Sequence, residues 1–495
     1  MQRAGIAAAG EISRRYPEQL KAGAVVFTGP GNNGGDGWVV AGTLARSGVE
    51  VTVVEVGEPT PAKSPDALAE RETALDSVKV VDSLDGASRF PHVSLVIDAL
   101  LGTGFEGEPR GKIGAAITTI NELRTQGTLV AALDVPSGLD ATTGEHSNSV
   151  VADITLSFGG VKRGLLLARD CCGRIVALDI GLDDPRPMGN ESATPELSLP
   201  VLVDGEWVRS CIPPIRFDAH KGTRKHLALV GGGKGMPGAV VLAARGALRS
   251  GIGLLRILTA PENVSAVLSA VPSALISEWS LADNRIEGDL SKWADAIVIG
   301  PGLGKSKETR ELVERILDDS NTPVVLDADA LNVFEGDKAA LAKLLNRRPA
   351  LITPHPAEFA RLAGVDVKTV LAARFDIGLD LARELEASVL LKGAPTVVFD
   401  SSGERYVIAR GTAALGTGGS GDLLDGIAGT ILAQAHDATI AGCSAAWAHG
   451  RAAEFCEYVR GTSLEDVLYA LPRAWNEIES PAERPVLAEL PAVAR

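Results

Sequence analysis

Residues Gly411–Asp425 read GTAALGTGGSGDLLD. Thr417, Gly418, Gly419, Ser420 and Gly421 form a run of small residues, Asp422 follows at once, and Leu423, Leu424, Ile427, Ile431 and Leu432 then recur at helical spacing. A glycine loop therefore feeds the first turn of a helix, whose free N–H groups and positive dipole end make a seat for an anion. A carboxylate in such a seat is electrostatically out of place unless it has a chemical task. Asp422 is read as a base that deprotonates a hydroxyl while the loop stabilises charge on a phosphoryl group in transit. The alternative, on this stretch alone, is that Asp422 only caps the helix through local hydrogen bonds.

The rest of the carboxyl-terminal half repeats one pattern, an apolar strand and then a loop of Gly, Pro and one polar side chain. Lys225–Val230 runs into GGGKGMPGA (231–239) and a helix from Val240 to Arg249. Ala294–Ile299 ends in GPGLG (300–304), and Pro323–Leu326 in Asp327, Ala328 and Asp329. Ala350–Thr353 ends in Pro354–Glu358, where two prolines stiffen the backbone around His355, and Ser388–Leu391 ends in KGAPT (392–396). This reads as a parallel sheet with its site along the carboxyl edge. The Pro-punctuated stretch Ser480–Arg495 is expected to be a loose tail.

The amino-terminal half opens with a helical stretch, Met1–Leu20, and a buried strand, Ala24–Thr28. The strand runs into GPGNNGGDG (29–37), and a helix is expected from Trp38 to Arg46. No Gly-Lys-Ser/Thr ends this loop and no GxGxxG register fits it. Five glycines in nine residues, with Asn32, Asn33 and Asp36 among them, favour a binding loop over an ordinary turn. Val49–Val56 is a further strand. Ser94–Ile97 finishes in Asp98 and ALLGTG (99–104), and Leu129–Leu133 in Asp134 and VPSGLD (135–140); further strands are expected at Asp153–Phe158 and Arg174–Leu178. Beyond the carboxyl ends of parallel strands, Asp98, Asp134 and the 29–37 loop are expected to share one crevice. Leu182–Pro200, with four prolines and no periodicity, reads as a linker. The fold class is α/β, with two three-layer domains over 1–200 and 201–495.

A chain of 495 residues is too long for one ordinary core, and 45% hydrophobic residues supply two well-packed interiors. The net charge of −15 argues against nucleic acid and anionic membranes as partners, though a helix N-terminus can still seat a small phosphorylated ligand. The five cysteines make no CxxC pair, and with the seven histidines none has zinc-ligand spacing, so a reducing cytoplasm is expected. No apolar run approaches a membrane span.

Together, GPGNNGGDG, DALLGTG (98–104) and DVPSGLD (134–140) in one half resemble the epimerase domain of NAD(P)H-hydrate repair enzymes. In the other half HKG (220–222), GPGLG, DADALN (327–332), TPHPAE (353–358), KGAPT and GTGGSGD (416–422) resemble the ribokinase-like, ADP-dependent NAD(P)H-hydrate dehydratase. The order is that of the bacterial bifunctional arrangement. Family members carry a further helical segment before the stretch matching MQRAG, with which this chain begins. The resemblance implies a Rossmann-like epimerase domain with Asp134 as acid–base residue and a potassium ion held by Asn33, Asp98 and Ser137. Its hydrated-cofactor positions are Asn32, Asn33, Gly34, Gly35 and Asp36, then Gly102, Thr103, Gly104, Phe105, Glu106, Gly107 and Glu108. In the dehydratase it implies Asp422 as base, with Ala239, Gly302 and His355 at the hydrated cofactor. Lys392, Gly393, Ala394, Pro395, Thr396 and Gly421 fall at ADP, with magnesium accompanying the nucleotide. The implied substrates are NADHX and NADPHX, and a homo-oligomer is expected. Two rival readings stay open: a vitamin or sugar kinase with a dinucleotide-sensing amino-terminal domain, and a non-catalytic dinucleotide sensor.

Overall fold

The short β-branched and leucine-rich runs become strands because most are buried from both faces, as parallel sheets require. The computed structural model describes residues 1–60, 64–81, 90, 93–182, 199–279, 290, 292–318, 320–477 and 485–493. The strands at the start of the chain are β1 (Ala24–Thr28), β2 (Val51–Glu55), β3 (Lys79–Val81), β4 (Leu95–Ala99), β5 (Leu129–Leu133), β6 (Ile154–Phe158) and β7 (Arg174–Leu178). There follow β8 (Val201–Leu202), β9 (His226–Val230), β10 (Leu254–Thr259), β11 (Leu275–Glu278), β12 (Ala296–Ile299) and β13 (Val324–Leu326). The last are β14 (Ala350–Ile352), β15 (Ser388–Leu391), β16 (Thr396–Phe399), β17 (Arg405–Ile408) and β18 (Val486–Leu490). One compact unit comprises Met1–Asp184 with Ser480–Val493, the other Pro185–Glu479. Most of the expected linker, residues 183–198, lies outside the described residues, and Val201–Leu202 already pairs with β17.

The first sheet runs β18-β7-β6-β5-β4-β1-β2-β3 and is parallel except for β18. Val25 and Phe27 enter one core cluster and Val26 the other, the period of two expected of a strand covered on both sides. Helices Gln2–Arg15 and Asn32–Arg46 pack on the Val26 side, and Gly111–Thr125 on the Phe27 side. Two expectations need correction. The helix after β1 begins at Asn32, so most of the glycine loop is helical. Its glycines serve close approach: a Cβ on Gly34 would lie 1.9 Å from the Gly29 carbonyl oxygen, and one on Gly37 2.5 Å from Ala99 Cβ. The carboxyl-terminal stretch is no loose tail, because β18 pairs antiparallel with β7. Glu489 on β18 pairs with Arg15 at 2.6 Å and also with Arg174.

The second sheet runs β11-β10-β9-β12-β13-β14-β15-β16-β17-β8, with β16 antiparallel to both neighbours. Helices Pro237–Arg249, Ser420–Ala435, Ala438–Glu454 and Leu464–Asn476 build the core on one face, into which Val398 points. Phe399, next in the strand, turns its ring to Gly378 on the helix Gly378–Leu385 of the other face. Both units are thus three-layer α/β folds. In each the chain order reverses beside one central strand: β1 lies between β2 and β4, and β9 between β10 and β12. Loops leaving such neighbouring strands in opposite directions open a crevice at the carboxyl edge.

Candidate active sites

In the first unit the crevice at β1 and β4 gathers the predicted acids and amides. Asp98, next to last in β4, is fully buried, with Oδ2 accepting from Ser137 N at 2.8 Å and Oδ1 from Ser137 Oγ at 2.6 Å and Leu100 N at 3.2 Å. Burial pushes its carboxyl up to about 6, against the lowering effect of those hydrogen bonds. Asn33 donates through Nδ2 to the carbonyls of Leu101 (2.7 Å) and Leu133 (3.2 Å), while its buried Oδ1 has no hydrogen-bond partner. Asp134 follows β5 with φ 63, a left-handed conformation that a non-glycine residue holds only under constraint. Its Oδ1 accepts from Lys162 Nζ and from Phe158 N at 3.2 Å. Oδ2 lies on the Gly102 side, 4.0 Å from where a Cβ on that glycine would sit. Asp36 is raised to about 7, first by burial and then by the charge of Asp134. Thr103, Gly104, Glu106, Gly107 and Glu108 lie exposed, Phe105 half-buried, and Glu108 pairs with exposed Arg110 at 3.4 Å.

In the second unit the small-residue run enters the helix Ser420–Ala435 as the sequence predicts. The cap is Gly419 at φ 92, which brings no side chain to the helix start, and Asp422 stands in the first turn. Asp422 is raised to about 6, first by burial and then by the charge of Asp327. Lys392 Nζ donates to both oxygens of Asp327, at 2.8 and 2.9 Å, and lies 4.0 Å from Glu358. Burial, the largest single effect, pulls the Lys392 ammonium down, but the surrounding carboxylates, Asp327 first, together outweigh it and its pKa is raised. This pair abuts the helix start, since a Cβ on Gly421 would sit 3.2 Å from Lys392 Nζ and 3.5 Å from Asp327 Oδ2. Gly302 and Ala239 also meet, at 2.9 Å from a Cβ on Gly302. The same loop is tied to DADALN by Gly304 N donating to Asp329 Oδ2 at 2.7 Å. His355 uses Nδ1 to cap its helix, accepting from Ala357 N (3.1 Å) and Glu358 N (3.3 Å), while Nε2 lies 3.4 Å from Glu358 Oε1. Gly393 and Ala394 are exposed, Pro395 is buried, and Thr396 Oγ donates to the Gly393 carbonyl at 3.0 Å.

Several polar groups at these sites were not singled out from sequence. Lys162 reaches Asp134 from the loop after β6; a lysine just past a parallel strand was the available signal. Arg374 donates from Nη1 to the Pro395 carbonyl at 2.9 Å and so supports the 392–396 loop. Asp425 lies one turn after Asp422 in an otherwise apolar helix, a spacing visible in the DLLD text. Among the described residues, His146, Asp170 and Cys171 bring potential ligand atoms within 4.8 Å of one another, which linear spacing does not reveal. A cavity of 280 Å³ lined by Arg216, His220, Lys225 and Gln434 lies at the other edge of the second sheet. Gln434 is three helical turns beyond Asp422, about 18 Å along the axis. Among the described residues no helix is long and apolar enough to cross a membrane.

Residues 227–472 match the NAD(P)H-hydrate dehydratase family, and residues 1–164 the family described as YjeF-related protein N-terminus. The bifunctional NAD(P)H-hydrate repair enzyme Nnr of Escherichia coli (strain K12) is 36% identical over 488 residues, covering 96% of this chain and 89% of the relative. The Nnr enzyme of Moorella thermoacetica is 32% identical over 99% of this chain and 94% of its own length. The ADP/ATP-dependent NAD(P)H-hydrate dehydratase of Bacillus subtilis, co-crystallised with ATP and Mg2+, is 31% identical with a TM-score of 0.50, over 56% of this chain and 98% of its own. A ribokinase-like superfamily protein of Enterococcus faecalis V583, 21% identical, shares the fold at a TM-score of 0.50 over 58% of this chain and 98% of its own.

Proposed function

The chain belongs to the bifunctional NAD(P)H-hydrate repair enzyme family, and from that premise we propose that it restores hydrated nicotinamide dinucleotides in two steps. The amino-terminal unit interconverts the R and S forms of NADHX and NADPHX at C6. The carboxyl-terminal unit dehydrates the S form and converts ADP to AMP and phosphate. Dehydration needs a better leaving group than hydroxide. Asp422 takes the proton from the C6 hydroxyl, whose oxygen bonds to the terminal phosphorus of ADP as AMP departs. The ring nitrogen then expels orthophosphate, and loss of a C5 proton restores the dihydropyridine. The observation that carries this reading is the juxtaposition of the Asp422 carboxylate, the helix amides at Gly421 and the Lys392–Asp327 pair.

Epimerisation needs the hydroxyl protonated, expelled as water by the nitrogen lone pair and returned to the opposite face. Asp134 is proposed as the group that gives and retakes the proton, with Lys162 fixing its Oδ1 and leaving Oδ2 toward Gly102. Asp36, at about 7, is a second carboxyl able to carry a proton near neutrality. Asn33, Asp98 and Ser137 are proposed as the potassium ligands. They offer oxygen only, as a hard cation prefers, and the orphaned Asn33 Oδ1 is the kind of buried acceptor that a cation satisfies. Bound there, the ion would supply positive charge that orders the loops after β1, β4 and β5. Magnesium would enter with the nucleotide phosphates, since the Asp327 and Glu358 carboxylates beside Asp422 are shared with Lys392. The enzyme is proposed to act on soluble dinucleotides in the cytoplasm, as a homo-oligomer.

The test is a mixed R and S hydrate supplied with ADP and Mg2+, followed by recovery of dihydronicotinamide absorbance. Wild type is expected to run to completion. Asp134→Asn should stall when the S form is consumed, and Asp422→Asn should lose at least about 100-fold in dehydration rate, the usual worth of a general base. Wild-type turnover by both variants would end the assignment.

A further inference from the structure

Asp425 is the buried carboxyl at this site to which the proposed reaction gives no task. It is completely buried on the helix that carries Asp422, and Thr353 Oγ donates to its Oδ1 at 3.0 Å. Its Oδ2 is buried with no donor to satisfy it. The Asp327 carboxylate, itself an acceptor, stands against Gly421 one helical turn before Asp425 and within hydrogen-bonding reach of the Asp425 side chain. Two ionised acceptors cannot satisfy each other, so one of the pair must carry a proton, and Asp327, which takes both contacts from the Lys392 ammonium, is the one held ionised.

We propose that Asp425 is a positioning residue for phosphoryl transfer: its carboxyl donates a hydrogen bond to Asp327, which thereby holds the Lys392 ammonium against Gly421 at the phosphate seat. The proposal rests on the dehydratase reading above. Each polar atom in the chain then has a matched partner. Thr353 donates to Oδ1, Oδ2–H donates to Asp327, and Asp327 still has room for both contacts from Lys392. Burial and the adjacent charge of Asp327 push the Asp425 carboxyl well above the usual carboxylate range, in the same sense. Charge gives the second reason. Asp327, Asp422 and Glu358 already face one lysine here, and a fourth ionised carboxylate would oppose an incoming phosphate. A neutral acid supplies the donor without adding that charge, as an amide would.

The experiment compares Asp425→Asn with Asp425→Leu in the full chain. Asparagine can accept from Thr353 at Oδ1 and donate to Asp327 through Nδ2, so it should stay within about threefold of wild-type kcat for dehydration. Leucine removes the donor at similar volume and should lower kcat by about 30-fold or more, with KM for the hydrate little changed. Infrared spectroscopy of the wild type well above pH 7, where Asp36, Asp98 and Asp422 are ionised, should show a protonated-carboxyl carbonyl band that persists in Asp422→Asn and disappears in Asp425→Asn. An asparagine variant as impaired as the leucine one, or no such band in wild type, overturns the proposal. If the leucine variant does not fold, the asparagine variant and the band still decide it. The band needs no turnover, so it separates this inference from the dehydratase reading: normal activity of Asp422→Asn would end that reading and leave the band in place.

Discussion

Asp422, the proposed base, shows what placing a carboxylate at a buried helix start costs. Burial and the Asp327 charge hold its carboxyl at about 6, yet a base must be ionised to work. The kcat/KM for dehydration should therefore fall as pH drops through about 6 and level off above it; a profile flat across that value would remove Asp422 from the role. The stability sign follows from the same shift. The folded value is raised, so the contribution of this group is fully present below the unfolded value near 3.8 and is lost as pH rises through about 6. Asp422→Asn should accordingly be more stable than wild type at pH above 7, by up to about 3 kcal/mol, and equal to it in acid. Paired thermal melts at the two pH values measure this.

Among elements, the contact that decides the second site is between helices Pro237–Arg249 and Ser420–Ala435. Gly426 makes it possible: a Cβ there would sit 1.8 Å from the Ala243 carbonyl oxygen, and one on Gly246 2.6 Å from the Leu423 carbonyl oxygen. Gly426→Ala must push the helices apart, at a cost of about 3 kcal/mol. Because the second helix begins with Gly421 and Asp422, dehydration should fall with stability while epimerisation is unchanged. Urea titration and the two separate assays report it. Unchanged stability would mean that the helices tolerate the displacement. The helix Asn32–Arg46 uses the same device against Gly29 and Ala99. Glycine-rich text there signalled close packing in a helix as much as a loop, and the distinction depends on what stands opposite.

For the molecule as a whole, the amino-terminal unit depends on the far end of the chain. β18 covers the edge of β7, and Glu489 joins Arg15, which is 15% exposed and also paired with Glu11. Truncation after Glu479, where the second unit ends, should lower the melting temperature of the amino-terminal unit and abolish epimerisation, while dehydration of pure S hydrate persists. Loss of the Glu489 pairs alone is expected to cost roughly 3 kcal/mol, because Arg15 keeps one partner in a mostly buried position. Two-transition calorimetry of the full and truncated chains checks it.

The alternation of strands with glycine loops, the acids at the ends of β4 and β5 and the helix after GTGGSGD follow from local rules of burial period, turn chemistry and helix-start charge, so the residues alone determined them. The same text placed Asp98, Asp134, Lys392, Gly421 and Asp422 at the carboxyl edges of the two sheets. It left undecided which groups touch. Lys392 reaches Asp327 across 65 positions, Lys162 reaches Asp134 across 28 and Arg174 reaches Glu489 across 315. Such contacts depend on strand order and register, which arise when distant segments bury their apolar faces together and leave no local periodic trace. For that reason the proton assigned to Asp425 and the docking of the chain's end became visible only in the folded protein.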